Sequence, residues 1–198
     1  SLTNCRFKMI TAASHTIAEG IKDQSLHVGI AASTGEVFDN IIEYPFVRDP
    51  FILVTPSSHG QDAEAAINEL PFLRYDRQQL ISKQIDAHLS RYKHDLSDRF
   101  EIGSHMALMA CVARGIGWAI TTPLGFMRAN RFHDNVTAHP LPFGTHHRQI
   151  SLFVSSDTAD VVPLEVTQSL RQLVNDRMIA PMVEQHPFLK RELRIIEA

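Results

Sequence analysis

Cysteine and tryptophan are scarce in this chain of 198 residues, which has two cysteines, Cys5 and Cys111, and one tryptophan, Trp118. Two lone cysteines in separate predicted elements argue against a disulfide framework and fit buried thiols in a reducing compartment. Long apolar runs are missing too. The longest, Met106–Ala113, is far too short to span a bilayer. Positive charge is not in excess: 19 Lys and Arg face 22 Asp and Glu, a net charge of −3. The chain therefore has no global basic footprint for nucleic acid, and any contact with DNA falls to another segment. Residues Ser1–Arg6 lack a signal-peptide pattern. There is no internal repeat, P-loop, nucleophile elbow or triad order, so no enzyme is expected.

The chemistry-bearing residues that are abundant turn out to be diffuse. Eleven histidines invite a metal reading. The adjacent pair His146 and His147 points to opposite faces if it lies in a strand, and no helical histidine pair or Cys–His spacing appears near His133 and His139. Surface histidines are the expectation, with no metal and no cofactor. Gly115 and Gly117 superficially resemble a dinucleotide loop. Their order is helix, glycines, strand, the reverse of what that loop requires.

The stretch Glu101–Pro123 is the most informative. Glu101–Gly103 finish a strand and Ser104 is placed to cap a helix. Met106, Met109, Ala110 and Ala113 keep helical spacing. Gly115 suits the left-handed residue that ends a helix. Trp118–Thr121 form a buried strand that Pro123 stops. A helix start beside a strand end suits a small anion, although an ordinary α/β repeat has the same form.

Elsewhere, Cys5–Ile10 alternates as a strand. Ser14 is placed to cap a helix carrying Ile17, Ala18 and Ile21. Leu26–Ala31 is the next strand, and the spacing predicts a parallel βαβ unit with ligand-facing ends at Thr11–Ser14 and Ala32–Gly35. Tyr44–Thr55 reads as extended, Pro56–Gly60 as a crossover, Ala63–Leu70 as a helix and Phe72–Tyr75 as a strand. A helix with Ile85, Leu89 and Tyr92 begins near Ser82. Val136–Leu141 is a near-edge strand, Ile150–Val154 another, and Ser155–Asp160 a loop. Pro163 opens a return helix through Leu170 and Val174, and short helical pieces follow it. A chain that leaves one α/β lobe and comes back by a second crossover makes two lobes, with a crevice between them for a small ligand.

This order resembles the effector-binding domain of LysR-type transcriptional regulators, which has the type 2 periplasmic binding protein fold. The resemblance is carried by Ile17–Ile30, by Asp49–His59, by Pro71–Tyr75 and by the glycine-rich helix end and strand Val112–Ile120. His27 departs from the pattern, standing where the family usually has aspartate. The resemblance implies an α/β fold of two Rossmann-like lobes joined by two crossover strands. It assigns 1–57 to the first lobe, 58–153 to the second, and 154–198 to the return and C-terminal helices. The family's first strand and helix, and its winged helix-turn-helix, have no counterpart in the resemblance. The function implied is a cytoplasmic sensor that binds a small metabolite, often an organic acid, as a homodimer or homotetramer. It would meet promoter DNA only through the helix-turn-helix and would not touch a membrane. A secreted solute-binding protein of the same fold, serving a transporter, is the alternative.

By position, Ala32, Ser33 and Thr34 wall the crevice on one side and Thr121 on the other. Tyr75 and Asp76 end the second lobe's first strand. Ser82 and Ser104 begin helices, and the Ser104 hydroxyl with the amides behind it could meet a carboxylate. A plain N-cap is the alternative for Ser104, and a solvated loop carboxylate for Asp76. Ile17, Ile21 and Met109 read as dimer contacts or as ordinary core.

Overall fold

A computed structural model describes residues 9–12, 14–36, 39–92, 96, 100–156 and 164–196. Most of the predicted Cys5–Ile10 strand, with Cys5 itself, lies outside these residues, as do Pro163 and most of the predicted 155–160 loop. Met9 and Ile10 carry no regular secondary structure.

Helix α1 (Ser14–Lys22) leads into strand β1 (Val28–Ala32). The long strand β2 (Ile41–Pro50) runs almost directly into β3 (Ile52–Pro56), with only Phe51 between them. That single residue separates two sheets. The first sheet has the order β1-β8-β2-β9, where β8 is His147–Ser155 and β9 is Arg194–Ile195. The second has the order β6-β3-β7, where β6 is Ala119–Thr121 and β7 is Val136–Pro140. Strands β4 (Leu73–Tyr75) and β5 (Phe100–Ile102) pair in parallel beside it and join through a Phe72–Trp118 bridge.

The chain thus leaves the first sheet at Phe51 and rejoins it at His147. The two passages are tied where the Phe51 amide donates to the His146 carbonyl at 2.8 Å. Within the first sheet β1 pairs antiparallel with β8. All but Met9 and Ile10 of the parallel partner expected for it falls among the residues not described.

Helices α2 (Ala63–Glu69), α3 (Leu80–Arg91), α4 (His105–Ala113) and α5 (Pro123–Arg128) accompany the second sheet. Helices α6 (Leu164–Val174) and α7 (Ala180–Gln185) follow β8 and are joined by a π-helical turn, Asn175–Ile179. Ser82 does not begin α3. The helix starts two residues earlier, and Ser82 is buried, its hydroxyl donating to the Tyr75 carbonyl at 3.0 Å. Pro123 does end the strand, but it also opens α5. Its missing amide costs nothing at a first helical position, and Thr122 caps that end.

One apolar core runs through the joint. It takes Phe46, Val47 and Ile150 from the first sheet and Leu53 and Ile120 from the second, together with Trp118 and Met109. A smaller cluster of Ile17, Ile21, Ala31 and Phe153 lies under α1. Ile17, Ile21 and Met109 are therefore core in this chain. Gly117 lets the start of β6 approach β4, since a Cβ there would lie 2.4 Å from the Pro71 carbonyl. Gly115 takes φ +74 at the end of α4, a conformation that favours glycine. Among the described residues no helix is long and apolar enough to cross a membrane.

Candidate functional site

The facing ends of the two sheets enclose a cleft of about 180 Å³. Ala12, Ser14, His15 and Ala32 line it from the α1–β1 side, and Arg148 comes from β8. Tyr75, Gln79, His105, Thr121, Gly125 and Arg128 line it from the second sheet and its helices.

Tyr75 and Thr121 reach the cleft because both close strands that end there. Their hydroxyls lie 2.8 Å apart, and Tyr75 Oη is also 2.8 Å from His105 Nδ1. His105 Nε2 donates to the Gly125 carbonyl at 2.7 Å, so that nitrogen holds the proton. Burial lowers the His105 pKa and keeps the ring neutral. Nδ1 therefore accepts from Tyr75, and the Thr121 hydroxyl is left to donate to Tyr75 Oη. Burial pushes the Tyr75 pKa up to about 12, with the Thr121 hydrogen bond pulling the other way. This chain of donors gives the cleft a rigid, uncharged wall.

The charge is supplied elsewhere. Arg148 sits directly opposite Asp49 in the β2–β8 register. Its Nε donates to Asp49 Oδ2 at 2.9 Å and its Nη2 to Thr122 Oγ1 at 2.9 Å. Asp49 is fully buried, and its other oxygen accepts from the Leu124 amide at 3.2 Å. The pair thus bolts the first sheet to the start of α5 and holds the guanidinium at the cleft. Arg128 lines the cleft from the exposed last turn of α5. Among the described residues that line the cleft there is no Asp or Glu. With Arg148 balanced by Asp49, Arg128 has no carboxylate partner among the described residues, and the lining carries a net positive charge.

Of the positions singled out in the sequence, Ala32, Tyr75 and Thr121 line the cleft. Ser33 and Thr34 sit just beyond β1, where their hydroxyls accept from the Gly35 and Glu36 amides. Asp76 accepts from the Gln78 amide at 2.7 Å. Ser104 caps α4, accepting from the Ala107 amide at 3.5 Å, and its neighbour His105 is the residue that faces the cleft. Arg148, Arg128, His105 and Gln79 escaped the sequence reading. Ala12 and Ser14, at a predicted ligand-facing end, did have a local signal. Among the described residues no cluster of His, Cys, Asp and Glu has the geometry to hold a metal ion.

The family model described as LysR substrate binding domain matches residues 3–179. Among solved structures, Corynebacterium glutamicum OxyR (C206S mutant, H2O2-bound) is similar at a TM-score of 0.70 and 17% identity, covering 88% of this chain and 56% of that one. The Synechocystis PCC6803 CcmR regulatory domain, in complex with 2-PG, is similar at a TM-score of 0.64 and 14% identity, covering 81% of this chain and 78% of that one. The effector-binding domain of QuiR, in complex with shikimate, is similar at a TM-score of 0.59 and 13% identity, covering 74% of this chain and 70% of that one. At these identities the likeness is one of fold. The chain spans a little over half the length of the OxyR chain it matches. Among curated proteins no relative matches the sequence.

Proposed function

The chain belongs to the LysR substrate binding domain family, and from that premise we propose that it is the ligand-sensing part of a bacterial LysR-type transcription regulator. The ligand is a small organic acid or similar anion held in the cleft. The carrying observation is Arg148, fixed between Asp49 and Thr122 at a cleft whose described lining holds a second arginine and no acid. Ser14, at the start of α1, and the Tyr75 and Thr121 wall complete the anion's surroundings. The complexes of two structural relatives with shikimate and 2-PG support a small-ligand reading. The domain works by binding, in the cytoplasm and as a dimer, and a helix-turn-helix elsewhere in the longer protein meets the promoter. The anion acts only if it binds one arrangement of the dimer better than another.

A thermal-shift panel tests this. Malonate, glutarate and benzoate are compared with their amides. An acid that binds raises the melting temperature, equivalent to about 2.7 kcal/mol at a hundredfold excess over Kd. Its amide does not, and Arg128→Ala reduces the shift. Amides that stabilise as well as their acids would overturn the reading.

A further inference from the structure

A second cavity shares α5 with the cleft. Gly125 lines the cleft, and the next residue, Phe126, lines a groove of about 510 Å³. That volume falls within the ~300–1,000 Å³ typical of small-molecule sites. Strand β7, Ser57, Gln61 and residues 185–188 line it.

Its chemistry differs from that of the cleft. Among the described residues that line it there is no Asp, Glu, Lys or Arg. Four of the five rings that line it pack on one another. His133 stacks on Phe126 at 4.1 Å and 4°. His186 meets Phe126 edge-on at 5.7 Å and packs against Phe188 at 5.9 Å. His133 Nε2 donates to the Phe126 carbonyl at 2.9 Å, so in the neutral ring Nδ1 remains an acceptor. Burial lowers the pKa of His139 and His186, and His133 pushes that of His186 lower still. The Gln61 and Gln185 amides add donors and acceptors that carry no charge. A carboxylate entering here would shed water and find no fixed cation. A flat neutral ring would find stacking faces and a hydrogen-bonding edge.

We propose that this groove is a second ligand site, for an uncharged planar aromatic with an amide or ring-nitrogen edge, of about nicotinamide or nucleobase size. Its occupant touches α5 from the Phe126 side. The same short helix gives its Gly125 carbonyl to His105 in the cleft wall.

Nicotinamide, adenine and nicotinate are the probes, added to the whole chain at pH 7.5 and followed by amide and imidazole NMR shifts. Nicotinamide or adenine should move the signals of His133, His186 and Gln185, and nicotinate should bind this groove about tenfold more weakly. Phe188→Ala should weaken the neutral probe about fivefold or more. Gln185→Ala, on an exposed position, should weaken it about twofold to threefold and stands in if the first variant fails to fold. Arg128→Ala should leave it unchanged, which separates this site from the cleft. Shifts confined to the cleft, nicotinate binding as well as nicotinamide, or neutral binding indifferent to both groove variants would each overturn the proposal.

Discussion

The cleft and the groove are walled by neighbouring residues of one short helix and built with the same device. In each, an imidazole Nε2 donates to an α5 carbonyl, His105 to Gly125 and His133 to Phe126. Yet the described lining of the cleft holds two arginines and no acid, and that of the groove holds no fixed charge. The difference comes from the joint between the sheets. There β8 brings Arg148 across from Asp49, the one buried carboxylate among the described residues, and it holds the guanidinium at the cavity wall. The charge of each lining thus follows from where the two sheets meet.

The largest break in this contrast comes from Asp49→Ala. The substitution strands Arg148 beside the core and removes the acceptor of the Leu124 amide. Breaking a buried pair in this way costs about 3–5 kcal/mol, and since 17% of the Arg148 side chain is exposed the lower end is expected. Urea denaturation reads it directly. A loss below about 1 kcal/mol would mean that the pair does not bolt the sheets together.

Arg128→Ala comes next. This exposed side chain should cost stability no more than about 0.5 kcal/mol. The affinity of a stabilising acid should fall about tenfold by calorimetry, equivalent to about 1.4 kcal/mol. An unchanged affinity would leave Arg148 alone as the anion's partner.

These two arginines also show where sequence reasoning stops. The double crossing was legible from the order of strands and helices, and Ala32, Tyr75 and Thr121 followed from the rule that ligands gather at strand ends. Helix α4 was legible too, since its cap, apolar spacing and terminal glycine are all local signals. Arg148 had none. It matters because Asp49 lies opposite it, 99 residues away in the chain, and nothing in either neighbourhood announces that register. The sheet change at Phe51 was hidden for a similar reason, because extended residues lie on both sides of it. Helix α5, the wall common to both cavities, is six residues long, and its opening proline read as a stop. The groove is assembled from β7, α5 and the C-terminal segment, so its rings come from distant stretches.

Acid should act on the joint, the groove and the cleft. Burial is the main cause lowering the pKa of His88, His146 and His147 at the joint, of His139 and His186 in the groove, and of His105 in the cleft. The unfolded chain takes up protons as pH falls below about 6.5, while these folded rings resist. Their contribution to stability is therefore complete above pH 6.5 and declines as pH drops toward their folded values. The melting temperature should be level from pH 8 to 7 and should fall below 6.5. His88→Phe, His186→Phe and His105→Gln should each flatten that slope, since burial lowers all three rings. A slope left unchanged by any of them would remove that ring from the account.

The smallest effect should come from Ser104→Ala, and it tests the cleft most finely. The hydroxyl is exposed and spans 3.5 Å to the Ala107 amide, a long bond for a cap. Its loss should cost about 0.5 kcal/mol, at the low end for such substitutions. If the anion sits on Arg148 and Arg128, this cap is a neighbour of the site through His105, and ligand affinity should move by less than about twofold. If the anion instead rests on the first amides of α4, the hydroxyl contacts it and the loss should rival that of Arg128→Ala. Calorimetry on the two variants side by side therefore decides which wall of the cleft carries the charge recognition.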